Sequence, residues 1–242
     1  MFGIRHLYAV CGAVVAFTSA ILPATAAKFV DLELVLAVDI SMSMDIVEQR
    51  LQRDGYVAAL RDPRVIKAIR AGPQGRIAVT YVEWAGNRSQ RVVVPWRIVS
   101  NTAEANKLAG ELAAQPIARA RRTSISSAVA FAATLFGKAD LRGLRRVIDV
   151  SGDGPNNAGS LIVPARDLVL RKGITINGLA IQLKRTGYSP FSYFDIDNLD
   201  AYYRDCVIGG AGAFVLPIKR KSEFATAIRQ KLLLEIAGRT PP

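Results

Sequence analysis

Leu34-Val35-Leu36-Ala37-Val38-Asp39-Ile40-Ser41-Met42-Ser43 is the stretch that decides how this chain is read. Its first five residues are an unbroken apolar run, the pattern of a strand buried on both faces of a parallel sheet. Asp39, Ser41 and Ser43 then fall at alternate positions. In an extended or gently turning segment alternate residues point the same way. One carboxylate and two hydroxyls therefore converge at the strand's C-terminal end, where open α/β sheets bind ligands. Oxygen-only donors suit a hard cation such as Mg²⁺, which takes few protein ligands and keeps waters. Asp and Ser are also favoured helix N-caps, so the stretch alone leaves both readings open.

Outward from this strand, expected over 33–38, apolar runs and helical stripes alternate to the end of the chain. A helix is expected from about 45 to 60, with Ile46, Val47, Leu51, Val57 and Leu60 on one stripe, and Asp62-Pro63 starts a short second one. Arg76 to Trp84 and Gln90 to Val94 read as strands joined by the tight Gly86-Asn87-Arg88 connection, hence antiparallel. Pro95 suits the end of an edge strand. Further helices are expected from Asn101-Thr102 to about Gln115, over Ser124–Phe136 and over Leu161–Lys172. Strands are expected over Arg146–Val150, Ile174–Ile181 and Ala213–Pro217. A helix over about 196–205 and a C-terminal helix over Ser222–Ile236 complete the pattern. The alternation predicts a doubly wound α/β fold: a mostly parallel sheet with one antiparallel edge strand and helices on both faces.

Residues 1–26 read as a secretory signal peptide, with Arg5 in the n-region, an apolar stretch from Leu7 to Leu22 and the small-x-small site Ala24-Thr25-Ala26. A retained anchor is the alternative. The expected organisation is a leader over 1–26 and one domain over 27–242, periplasmic or secreted. No later stretch is long and apolar enough to span a bilayer. The only histidine, His6, and Cys11 lie within the leader, so the mature chain keeps one cysteine, Cys206, and no histidine. Ser-His-Asp and Cys-His catalysis are thereby excluded, as are His/Cys zinc sites and an intramolecular disulfide. The net charge of +12 falls to +11 with Arg5 gone, a balance that favours acidic partners. Nucleic acid is not expected among them, because no block resembles a nucleic-acid motif and aromatics are only 7% of residues.

Three segments now offer oxygen ligands at element boundaries: Asp39/Ser41/Ser43, Thr123 and Asp153. Asp39-x-Ser41-x-Ser43, Thr123-Ser124-Ile125-Ser126-Ser127-Ala128 and Asp153-Gly154, in that order, resemble the von Willebrand factor A (VWA) domain and its metal-ion-dependent adhesion site (MIDAS). Ile174-Thr175-Ile176-Asn177-Gly178-Leu179-Ala180 looks like that family's following strand, and the resemblance covers about 30 to 237. The segment Cys206 to Phe214 further resembles a bacterial family of secreted VWA-like proteins of unknown function. The resemblance implies that Ser41, Ser43 and Thr123 bind a divalent cation directly, Mg²⁺ or else Mn²⁺ or Ca²⁺. It implies that Asp39 and Asp153 act mainly through waters. One coordination position is then open to an acidic residue of a protein partner. Hydroxyl ligands neutralise little of the metal's charge and leave it electrophilic toward a carboxylate. The chain departs from the family at Gly152, where Thr is frequent.

Other candidates read more plainly. Asp195, Asp197 and Asp200 lack the EF-hand pattern and read as a helix N-cap with an acidic face. Arg119, Arg121 and Arg122 either steer an acidic ligand or form a solvated loop. Cys206 is expected as a buried free thiol, and Trp84 and Trp96 as core and edge packing. The functional expectation is a non-enzymatic, metal-dependent protein-binding module. Two alternatives stand beside it. One is a Mg²⁺-dependent phosphatase-like hydrolase with Asp39 as nucleophile, disfavoured because Ser41 stands where a second carboxylate is needed. The other is a VWA fold with a vestigial site and a structural role.

Overall fold

The structure is a computed structural model that describes residues 27–138, 140–183 and 198–238. The expected leader over 1–26, and Asp195 and Asp197, lie outside the described residues. Six strands form one sheet: β1 (Lys28–Asp39), β2 (Ile77–Trp84), β3 (Gln90–Val99), β4 (Leu141–Gly152), β5 (Thr175–Ile181) and β6 (Val215–Ile218), in the order β3-β2-β1-β4-β5-β6. Only β3 runs antiparallel to its neighbour. The helices are α1 (Ile46–Leu60), α2 (Pro63–Arg70), α3 (Thr102–Ala113), α4 (Ile125–Ala133), α5 (Ile162–Leu170), α6 (Leu199–Tyr202) and α7 (Phe224–Ala237).

The apolar run that opened the reading is the centre of this sheet. Leu34, Leu36 and Val38 face a core shared with α1, α2, α3 and α7. Val35 and Ala37, on the opposite pleat, face a second core built with α4, α5 and the segment from α6 to Val207. Burial of successive residues on both faces is why the run lacks hydrophobic alternation. The sequence moves from β1 to β2 and β3 on one side, then returns to β4, β5 and β6 on the other. The direction of winding therefore reverses between β1 and β4, and such a reversal opens a crevice at the C-terminal strand ends.

The differences from expectation lie mostly at element ends. β1 and β4 start several residues early, at Lys28 and Leu141, because their first halves pair with each other from Lys28↔Leu141 onward. Asp31, in that early half, accepts from the amides of Gln74 at 2.8 Å and Arg76 at 3.3 Å. β3 does not stop at Pro95 but runs through it to Val99. The pairing slips between Val79↔Arg97 and Tyr81↔Val94, and this irregularity on an edge strand accommodates the missing amide. α4 ends at Ala133 and turns through Gly137 at φ 77°. The helix expected at 196–205 is the short α6 followed by a π-helical turn over Tyr203–Val207. Cys206 is free but half-buried on that turn rather than fully buried. Trp84 is fully buried, and Trp96 packs against Phe136. Among the described residues no helix is long and apolar enough to cross a membrane.

Candidate functional site

Three loops meet over the crevice between β1 and β4. The first follows Asp39, the last residue of β1. Its carboxylate Oδ1 accepts the Ser41 amide at 2.6 Å, which turns the chain sharply off the sheet. The helix cap that might have explained Asp39, Ser41 and Ser43 is made elsewhere. Asp45 caps α1, its carboxylate accepting the Glu48 amide at 2.7 Å while Glu48 accepts the Asp45 amide at 3.0 Å. Asp39, Ser41 and Ser43 are therefore left over from capping.

Their hydroxyls and carboxylates form a chain. Ser41 Oγ and Ser43 Oγ are 2.7 Å apart, and Ser43 Oγ donates to Asp153 Oδ1 at 2.6 Å. Asp153 follows the end of β4, so this contact closes the crevice across 110 residues of sequence. Asp39 and Ser41 are buried, whereas Ser43 and Asp153 are half-buried and face its mouth.

The Thr123 loop is bound to both of the others. The Ala120 amide donates to the Ile40 carbonyl at 2.9 Å, and Ala120 bridges Ser41 in parallel fashion. The Ser124 amide reaches the Ala85 carbonyl at 2.8 Å, beside the β2–β3 turn. Gly86 in that turn must be glycine, since a Cβ there would lie 2.8 Å from the Arg121 carbonyl oxygen. Thr123 itself is buried, and its amide donates to Asn157 Oδ1 at 2.9 Å. Its carbonyl accepts the amides of Asn157 at 2.8 Å and Ala158 at 3.1 Å. Asn156 Oδ1 accepts the Ser126 amide at 3.0 Å in the first turn of α4. The five residues singled out in the sequence thus sit on three mutually hydrogen-bonded loops, and four of them are joined by direct side-chain or Asx contacts.

Asn156, Asn157 and Arg119 were not assigned these roles from sequence. The two asparagines follow Asp153-Gly154-Pro155, a turn-rich run in which Asn side chains commonly bond nearby backbone; that run was the available signal. Arg119 is more than a steering charge. Its Nη2 donates to the carbonyls of Met42 at 2.9 Å and Met44 at 2.7 Å and ties down the Ser41–Ser43 loop. Arg121 and Arg122 remain exposed, with Arg122 in the left-handed region at φ 69°.

The electrostatics of the crevice centre on the buried Asp39 carboxylate. Burial, and then the negative charge of Asp153, push the Asp39 carboxyl well above the usual carboxylate range, against the opposing pull of the Ser41 and Asp153 amides. Its Oδ2 is fully buried and makes no hydrogen bond. A buried, unpaired carboxylate oxygen is costly, and a cation in the crevice would relieve that cost. Among the described residues no three His, Cys, Asp or Glu side chains gather as a metal cluster, so a cation here has to lean on hydroxyl oxygens. The side chains joined here offer only oxygen, the hydroxyls of Ser41 and Ser43 and the carboxylates of Asp39 and Asp153, with Thr123 on the adjoining loop. This donor set fits a hard divalent cation with waters in its shell.

Residues 29–240 match the family described as "Protein of unknown function (DUF1194)". The chain belongs to the DUF1194 family. A comparison with curated proteins found no match. Among solved structures, the chain is similar to the conserved hypothetical protein BatB from Bacteroides thetaiotaomicron, at 19% identity and a TM-score of 0.56, with 86% of this chain and 99% of that one covered. A von Willebrand factor type A structure from Catenulispora acidiphila aligns at 14% identity and a TM-score of 0.54, over 86% and 43% of the two chains. Proximal thread matrix protein 1 from the mussel byssus, solved with a zinc-occupied MIDAS motif, aligns at 15% identity and a TM-score of 0.56, over 88% and 49%. This DUF1194 chain therefore spans nearly all of BatB and less than half of the other two. At these identities the likeness shows the fold, which is VWA-like.

Proposed function

We propose that this DUF1194 protein is an exported, non-enzymatic binding module that holds a protein partner through a divalent cation. In this reading Ser41, Ser43 and Thr123 coordinate the cation and Asp39 and Asp153 act mainly through its waters. A carboxylate of the partner takes the remaining position. Mg²⁺ is the assigned cation, with Mn²⁺ and Ca²⁺ as substitutes of the same hard-oxygen preference. The observation that carries the reading is the Ser41–Ser43–Asp153 chain beside the partnerless Oδ2 of buried Asp39. It is a preformed oxygen set at the reversal point of the sheet. The zinc-occupied MIDAS of the mussel protein, on a similar fold, lends support.

The hydrolase alternative gains little from this geometry. Asp39 has no exposed surface, and Ser41 stands where a second carboxylate is needed. Export rests on the leader-like residues 1–26. Capture of partners from a cell-envelope extract on immobilised protein tests the function. Capture in Mg²⁺ that is lost in excess chelator is expected. Equal capture in both contradicts a cation bridge and favours the vestigial-site alternative.

A further inference from the structure

Beneath the three loops lies a second polar layer that the cation reading leaves unused. Tyr203 is fully buried and its phenolic oxygen makes no hydrogen bond, and the same holds for the indole Nε1 of Trp84 and for Asp39 Oδ2. All three meet at Gly152, the last residue of β4. A Cβ built on Gly152 would lie 2.7 Å from the Tyr203 hydroxyl, 3.0 Å from Asp39 Oδ2 and 3.3 Å from Trp84 Cζ2, two bonds from Nε1. The glycine therefore vacates the one spot that lets a phenol approach the hidden face of the Asp39 carboxylate. Two donors and one acceptor, all buried and all unpaired, surround that spot. Leaving such groups unsatisfied is costly, and natural cores seldom keep them without a purpose.

Tyr203 is also delivered there by unusual backbone. It opens the π-helical turn Tyr203–Val207, and π-turns concentrate at functional sites. Its neighbour Tyr202, the last residue of α6, accepts the Asn156 amide at 3.1 Å and so supports the loop that carries Asp153.

We infer that Tyr203 is a positioning residue of the cation site: once a cation binds, its phenol, which makes no hydrogen bond in this structure, donates to the buried Oδ2 side of Asp39 and fixes the carboxylate toward the crevice. Gly152 is the residue that makes this possible. The inference rests on the cation reading of the same site. Hydrogen-bonded partners behind a metal's ligands typically change metal affinity by 10–100-fold.

The test is thermal melting of wild type and Tyr203→Phe across a Mg²⁺ titration and in excess chelator. Tyr203→Phe removes a buried hydroxyl that makes no hydrogen bond, so in chelator the variant should melt at or above the wild type. In Mg²⁺ the wild type should gain stability, and Tyr203→Phe should need roughly tenfold more Mg²⁺ for half the gain. Equal Mg²⁺ dependence overturns the inference while leaving the cation site standing. A lower melting point in chelator with an unchanged Mg²⁺ response also overturns it, because Tyr203 is then only structural. A wild type that does not respond to Mg²⁺ removes the cation reading and this inference with it. If Tyr203→Phe does not fold, the wild type still decides. Mg²⁺ should change the ultraviolet absorption of a buried tyrosine, and no change counts against the role.

Discussion

Lys231 lies on α7 with almost no exposed surface, yet carries a charge. Its Nζ is 2.6 Å from Asp149 Oδ1 on β4 and 2.5 Å from Glu235 Oε1 one turn along the helix. The ammonium also faces the Phe214 ring at 5.2 Å. Asn177 on β5 donates to Glu235 at 3.2 Å, and Arg145 donates to the carbonyls of Glu235 and Ile236 at 2.8 Å each. The triad thus docks the C-terminal helix beneath the strands that carry the site. Lys231→Met keeps the length and apolar stem but leaves two carboxylates buried without their cation. Breaking a buried pair in this way costs about 3–5 kcal/mol, a large share of the roughly 5–15 kcal/mol that holds a domain together. The loss should appear as a lower urea midpoint at pH 7.5 with an unchanged slope. It should shrink near pH 5, where the stranded carboxyls take up protons. Adding Asp149→Asn and Glu235→Gln to Lys231→Met should restore most of the loss, since uncharged replacements of buried ion networks are often tolerated. A loss under about 1 kcal/mol at pH 7.5 for Lys231→Met alone would show that the triad does not hold α7 in this way.

The same carboxyls set the pH dependence of the metal-free fold. Burial and then Asp149 push Glu235 up to about 7 from 4.5, and Asp149 and Asp39 are raised in the same direction. The folded state therefore holds protons that the unfolded chain has released, and stability in chelator should fall as pH rises from about 4.5 toward 7. Glu235→Gln should flatten that fall in urea midpoints, and an equally steep profile in the variant would refute the assignment. Arg119→Ala should weaken cation-dependent capture at high salt as well as low, because Arg119 holds the Met42 and Met44 carbonyls. Arg121→Ala should matter only at low salt, as screening predicts for an exposed charge. Arg119→Ala losing its effect at high salt would return Arg119 to a steering role.

The sheet and the three loops were legible because their signals are local. An apolar run buried on two faces, turn residues at the strand ends and polar residues at alternate positions all survive in a single sequence. The ends of β1, β3 and β4 were not legible. Their length is set by cross-strand pairing such as Lys28↔Leu141, which no local window contains. Asp39, Ser41, Ser43, Thr123 and Asp153 were picked out by type and spacing, but the groups that brace them were hidden. Nothing local marks Tyr203, and Gly152 stands out only as a departure from the family's frequent Thr, until the fold brings both against Asp39. Lys231 and Glu235 stand four apart in the sequence with nothing local to mark them as buried, and Asp149, from a distant strand, joins them in a triad.

The central claim is that a cation on these loops bridges to a partner's carboxylate. Surface capture of partner by wild type and Asp39→Ala, side by side in Mg²⁺ and in excess chelator, tests it most directly. Asp39 stands at a strand end where trimming a carboxylate leaves no large apolar cavity, so the variant should still melt cooperatively. Wild type should capture partner in Mg²⁺, lose it in chelator and regain it when Mg²⁺ is restored, while folded Asp39→Ala captures none in either. Undiminished capture by the folded variant, or by wild type in chelator, would contradict the account.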